Sequence, residues 1–331
     1  MLNKFLITFI AQFFIFYATL SIASEDNVLY IKVLSEKQSV VVNAKMGSSH
    51  KRFRINESKT KITSDFANLW HQLNTWEITK KSVDAYIAKY ESLLLNPIEG
   101  LLSNATHIHF IVDDDSFRYA LDLIPYKGKP LFLHFPISFS VHKVNVNQHS
   151  YFSKVWSGLS ISDRTADPEN AVSYLSELLV KNNYYKMEDL SHEELSKMGP
   201  TDVMLFSLHG KGSKSTASMD FNGESLFAKD LAHFQSKLIY LDSCEMGSSI
   251  GFLKELKKHG NEFLIAPLFS NEAGGSSTET IKGFFSNLQA GDSPAIAMYK
   301  VRKKLYNKYS QSDNVASAYW KAFPFRVFQQ R

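Results

Sequence analysis

The chain has 331 residues, a formal net charge of +4, 44% hydrophobic and 13% aromatic residues, and one cysteine. That composition supports a substantial core in one large domain or two modest ones. The weak positive balance gives no case for a nucleic-acid partner, and the single thiol, Cys244, excludes an intramolecular disulfide.

In chain order, Lys4 is followed by an apolar stretch, Phe5 to Ile22, interrupted by Thr8, Gln12, Thr19 and Ser21. Small residues at Ser21-Ile22-Ala23 precede the acidic Glu25-Asp26. This layout predicts a secretory signal peptide over residues 1–23, cut near Ala23, and therefore a secreted or periplasmic protein. The alternative is a membrane anchor through residues 5–22, because the run approaches the ~20 residues that span a bilayer. Only then would a membrane be a partner.

Residues 28–34 and 40–45 alternate apolar and polar around Ser35-Glu36-Lys37-Gln38 and read as a β-hairpin. Residues 64–95 carry helical spacing through Phe66, Leu69, Trp70, Leu73, Trp76, Val83, Ile87 and Leu94, ending before Pro97. Strands are predicted at Thr106–Val112, Tyr119–Ile124, Leu131–His134 and Ser138–Val144. The second half alternates more regularly. Strand Val155–Ile161 precedes helix Pro168–Lys181, and strands Val203–Leu208 and Leu238–Leu241 follow. Helix Ser249–Lys258 then leads to strand Glu262–Ala266, helices Glu279–Gln289 and Pro294–Tyr309, and strand Ala322–Phe328. Strands alternating with helices imply an α/β fold with a largely parallel sheet covered on both faces. The segment Ser160–Ala166 is the best boundary between halves.

Two of these strands stop abruptly at reactive side chains. Leu205-Phe-Ser-Leu-His209-Gly210 ends on an imidazole, and Leu238-Ile-Tyr-Leu-Asp242-Ser-Cys244-Glu-Met-Gly247 ends on the thiol. Ligands collect at the carboxyl ends of parallel strands, so adjacent strands would bring general base and nucleophile together. A helix starting near Ser248-Ser249 would favour the thiolate. Gly210 and Gly247 would leave backbone uncovered, with the amides of Gly210 and Cys244 as an oxyanion hole. Elsewhere, His107-Ile-His109 has the alternation of a strand-borne metal pair, without a third ligand nearby. Asp113-Asp114-Asp115 lacks the spacing and glycine of a calcium-binding loop. Lys300–Lys308 reads as a helix with Val301, Leu305 and Tyr306 inward and its charges in water. Trp70, Trp76, Phe284, Phe285, Trp320 and Phe323 read as core. No metal or other cofactor is implied.

The pair "SLHG…LDSCEMG", with His209 and Cys244 35 positions apart, resembles the caspase-like cysteine peptidases, most closely their CHAT-domain branch. Ala266-Pro-Leu-Phe-Ser-Asn-Glu-Ala273, Phe284-Phe-x-x-Leu288-x-x-Gly291, Ala295-x-Ala297 and Tyr319-Trp-x-x-Phe323 resemble that pattern in order, as does Ile108–Phe139 upstream. The resemblance covers roughly residues 86–328. It implies a caspase-like three-layer α/β/α sandwich, with a non-catalytic half in residues 24–160 and a catalytic half in 161–331. It also implies an exported endopeptidase, with Cys244 as nucleophile and His209 as general base, working through an acyl-enzyme. Asp242 departs from the branch, where a small residue is usual. Asp-Ser-Cys resembles metacaspases instead, whose aspartate receives a basic P1 side chain, so Asp242 is the S1 candidate for Arg or Lys. The partners implied are a protein or peptide substrate and an activating or recruiting protein. The alternative is a catalytically silent module of the same fold that binds proteins.

Overall fold

The computed structural model describes residues 27–146, 152–311 and 315–331. The expected signal segment, residues 1–23, lies outside them. The first strands are β1 (Val28–Ser35), β2 (Val40–Met46), β3 (Ser49–Arg54) and β4 (His107–Val112). A small hairpin of β5 (Pro125–Tyr126) and β6 (Lys129–Pro130) precedes β7 (Ile137–Ser140). Then come β8 (Ser157–Ser162), β9 (Lys181–Lys186) and β10 (Val203–Ser207). A separate meander, β11 (Gly210–Gly212), β12 (Ala217–Phe221) and β13 (Glu224–Phe227), leads to β14 (Leu238–Asp242), β15 (Phe263–Pro267) and β16 (Phe325–Gln329).

Eleven of these strands form one sheet in the order β3-β2-β1-β4-β7-β16-β15-β14-β10-β8-β9. Nine of them fall in two parallel blocks, with β2 and β3 added antiparallel at one edge. β1, β4, β7 and β16 run one way, and β15, β14, β10, β8 and β9 run together beside them. The blocks meet at the antiparallel pair β15/β16. Strands β4, β10, β14 and β15 are buried at every position. Strands of parallel sheets covered on both faces read this way, as unbroken apolar runs. The hairpin strands instead bury alternate residues, with Leu29, Ile31 and Val33 at most 1% exposed.

The longer helices are α1 (Lys59–Asn74), α2 (Lys80–Ile87), α3 (Ile250–Lys258), α4 (Ser276–Gln289), α5 (Pro294–Tyr309) and α6 (Val315–Ala322). Helix α5 packs against both α4 and α6. With the helices flanking it, the sheet is the middle layer of a caspase-like α/β/α sandwich. Among the described residues no helix is long and apolar enough to cross a membrane.

Several expected elements differ. The single helix over 64–95 is broken at Trp76, which takes a left-handed φ of 59°. Its ring lies half-exposed, stacked 5.2 Å from Trp320, not in the core. The apolar segments near 119–124 and 131–134 are 3-10 turns at Leu121–Leu123 and Leu131–Leu133; they bury by packing, without a neighbouring strand to pair with. Helix 168–181 shrinks to two short turns because the chain must turn back into the edge strand β9. The expected boundary segment Ser160–Ala166 holds the end of β8 and the turn after it.

The basic stretch of α5 does not keep all its charge in water. Met298, Val301, Arg302 and Leu305 share the buried stripe at helical spacing. Arg302 is only 4% exposed, and its guanidinium donates to Asp122 at 3.1 Å. The two strand histidines are committed to serines: His107 Nε2 and His109 Nδ1 both lie 2.8 Å from Ser138 Oγ, and His109 Nε2 lies 2.8 Å from Ser140 Oγ. Among the described residues no cluster of three or more metal-ligating groups forms. The acidic triplet is a turn. Asp113 Oδ1 accepts from the amides of Asp115 and Ser116, Asp114 pairs with Lys254, and Asp115 pairs with Lys59 and Lys214.

Candidate functional site at the tips of two neighbouring strands

Strands β10 and β14 are adjacent and parallel, with Ser207 opposite Asp242. His209 and Cys244 are therefore each two residues beyond the same rung, where both apolar runs leave the sheet. After Cys244 the chain reverses through Glu245 in a left-handed conformation (φ 62°). It then enters α3, where Ser249 Oγ accepts from the amide of Phe252 as N-cap. Gly210 lies against this turn. A Cβ there would stand 2.6 Å from the Cys244 carbonyl oxygen and 2.9 Å from its amide nitrogen. A Cβ on Gly247 would stand 2.6 Å from the Ala266 carbonyl oxygen. Both glycines thus allow one backbone to press on another, where uncovered backbone was expected.

The two tip residues are proximal in the topology, yet they do not engage each other. Among the described residues no hydrogen bond joins His209 to Cys244. The exposed imidazole lies with Nε2 2.7 Å from Thr165 Oγ1 and 3.9 Å from an Asp163 carboxylate oxygen. The Thr165 hydroxyl donates to Asp163 at 2.8 Å. Its oxygen then accepts from the ring, so that Nε2 carries a proton.

Cys244 is half-buried, with Sγ 3.9 Å from the Asn271 carbonyl oxygen. Burial pushes its thiol up from its ordinary value, outweighing the Asn271 contact that works the other way. The expected thiolate, favoured by the helix after it, is thus not the form this environment selects.

Asp242 is 3% exposed. One carboxylate oxygen accepts from Ser207 Oγ at 2.7 Å, and the other accepts from Asn271 Nδ2 at 2.7 Å and from Ser277 Oγ. Burial pushes its pKa up to about 7, against these donors, with Asp167 adding to the rise. Four residues to which the sequence reading gave no role thus shape the site: Asp163, Thr165, Asn271 and Ser277. Asn271 sits inside the "APLFSNEA" segment, the one signal that pointed to it. Asn74, at the end of α1, ties the site to the helical layer by donating to Glu245 and accepting from the Ser270 amide.

No family model and no curated protein matches the chain. Among solved structures it is similar to the separase–securin complex of Saccharomyces cerevisiae. The TM-score is 0.57 at 9% identity, over 92% of this chain and 30% of that one. The chain therefore spans less than a third of the length of that relative. At this identity the likeness is one of fold, and the fold is caspase-like.

Proposed function

We propose that the chain is a caspase-fold module that acts by binding a protein partner, without cleaving it in the conformation described. One observation carries this reading: the His209 imidazole is held by Thr165 and Asp163, while the Cys244 thiol is desolvated and turned to the Asn271 carbonyl. Among the described residues the sulfur's hydrogen bond goes to a backbone carbonyl and not to a base. The structurally similar separase is seen in complex with securin, which supports a protein as the partner class.

A second reading is favoured by the shared rung of β10 and β14 and by the unengaged Nδ1 of His209. In it the chain is a CHAT-like cysteine endopeptidase that awaits rearrangement by an activating or recruiting protein. His209 would be base, Cys244 nucleophile, and the Gly210 and Cys244 amides the oxyanion hole. Asp242 would select Arg or Lys once its three donors were displaced. In either reading the N-terminal composition supports export, with residues 1–23 removed or residues 5–22 kept as an anchor. N-terminal sequencing of the recovered chain separates the two by whether it begins near residue 24.

The experiment that tests function exposes the full chain, Cys244→Ala and His209→Ala to a peptide library. Acyloxymethyl ketone probes ending in Arg, Lys or Asp are applied in parallel. The interaction reading expects no cleavage above Cys244→Ala and thiol labelling indifferent to His209→Ala. Cleavage after Arg or Lys, lost in both variants, replaces it with the endopeptidase reading. Cleavage after Asp removes Asp242 from S1.

A further inference from the structure

Far from the strand tips, the hairpin strands present a second chemistry. The alternation that buries Leu29, Ile31 and Val33 turns Tyr30 and Lys32 to the other face of the sheet. Register sets Lys45 opposite Tyr30 and Asn43 opposite Lys32 on β2, and Ile111 opposite Lys32 on β4. The segment after β7 is laid beside this face. The Val146 amide donates to the Tyr30 hydroxyl at 3.0 Å, bringing Lys143 and Asn145 to the rim. The result is a cavity of about 500 Å³, within the ~300–1,000 Å³ range of small-molecule sites.

Its lining is one-sided in charge. Lys32, Lys45 and Lys143 line it, and among the described residues no aspartate or glutamate does. Among the described residues none of the three lysines has an ion-pair partner. Three unneutralised ammonium groups around one hollow raise the local potential and favour a multiply charged anion. The remaining polar groups add donors: Asn43 Oδ1 is occupied by His50 Nε2 at 2.6 Å, which leaves its amide NH₂ available. Lysine is a point charge, whereas arginine offers the planar fork that matches a carboxylate. Three lysines and no arginine therefore suit a tetrahedral dianion better than a planar monoanion. Val28, Ile111 and Val146 supply an apolar wall, which inorganic phosphate would leave unused.

We propose that this cavity binds a soluble organic phosphate. The phosphoryl group lies among Lys32, Lys45 and Lys143, and the organic part lies against Val28, Ile111 and Val146. The test uses the full chain and phenyl phosphate as probe, read by calorimetry and by the ligand-induced rise in melting temperature. Saturable one-to-one binding is expected, weakened about tenfold or more in Lys32→Gln/Lys45→Gln/Lys143→Gln, for three contacts of exposed charge. Lys181→Gln/Lys229→Gln/Lys304→Gln removes the same charge elsewhere and should leave binding unchanged. Lys143→Gln alone, on the segment beside the sheet, should bind more weakly with an unaltered circular dichroism spectrum, which covers a triple variant that fails to fold. Equal loss in both triple variants overturns the proposal, as does equal binding of phenylacetate or no binding at millimolar probe. Lysine-dependent capture by vesicles containing phosphatidic acid, with no response to phenyl phosphate, overturns it too, because the phosphate would then belong to a lipid surface.

Discussion

At the scale of single residues, Asp242 is a carboxylate buried beneath three side-chain donors. Its folded pKa, about 7, stands above the ordinary carboxylate value because burial disfavours the ionised form more than Ser207, Asn271 and Ser277 favour it. The unfolded chain therefore loses this proton first. Between about pH 4 and pH 7 the folded state binds more protons than the unfolded one, so the contribution of Asp242 to stability is full in acid and declines as pH rises through that window. Urea melts of wild type and Asp242→Asn should show this directly, with the difference moving in favour of the amide as pH increases. A pH-independent difference would mean the carboxylate is charged throughout. Gly210 gives a second test. An added methyl must displace the Cys244 backbone, so Gly210→Ala should destabilise by about 1–3 kcal/mol in the same melts. An unchanged midpoint would show that the two strand tips can part freely.

At the scale of elements, β4 carries two histidines through the middle of the sheet. Burial depresses His107 to about 3 and holds His109 well below its ordinary value. The unfolded chain takes up these protons near pH 6.5 while the folded chain refuses them. The two histidines should thus lower stability as pH drops from about 6.5 toward 4, by up to two protons, against the opposite contribution of Asp242, which leaves a net slope near one proton. His107→Gln/His109→Gln should abolish that fall in denaturation followed by fluorescence, and an unaltered slope would place the acid sensitivity elsewhere.

Other strands show why much of the sheet was readable from sequence. Apolar runs such as VMLFS, LIYLD and FLIAP announce a covered parallel sheet, and the ends of the first two located His209 and Cys244. Edge strand β9, KNNYYK, has no apolar run because one side of it lacks a neighbour. The β12/β13 hairpin carried a usable signal, Asn222-Gly223, both at positive φ as such tight turns require. The Thr165–Asp163 partners of His209 lie some 44 positions earlier in the chain. Only folding brings them together, and no local pattern encodes the contact.

At the scale of the molecule, one buried charge cluster links distant parts of the chain. Asp122 accepts from Arg302 on α5 at 3.1 Å and from Arg326 on β16 at 3.0 Å. The arginines also donate to the carbonyls of Phe117, Tyr119, Phe323 and Phe325. Removing the shared carboxylate leaves two guanidinium groups in a dry interior. Asp122→Ala should cost about 3–5 kcal/mol, measured by chemical denaturation, whereas Asp122→Leu/Arg302→Met/Arg326→Met should recover most of the loss. Equal instability of both variants would show that the carbonyl contacts, not charge balance, hold this region.

The placement of β16 between β7 and β15 has a consequence for how the protein is made. Ribosomes deliver residues 107–140 and 157–267 well before 325–329, yet the seam joining those two blocks is built from the later segment. A nascent chain must therefore hold two unfinished sheet edges apart for the time needed to translate α4, α5 and α6. During that interval each edge is a template for unwanted pairing, which makes a chaperone or slow release a natural companion of its biogenesis.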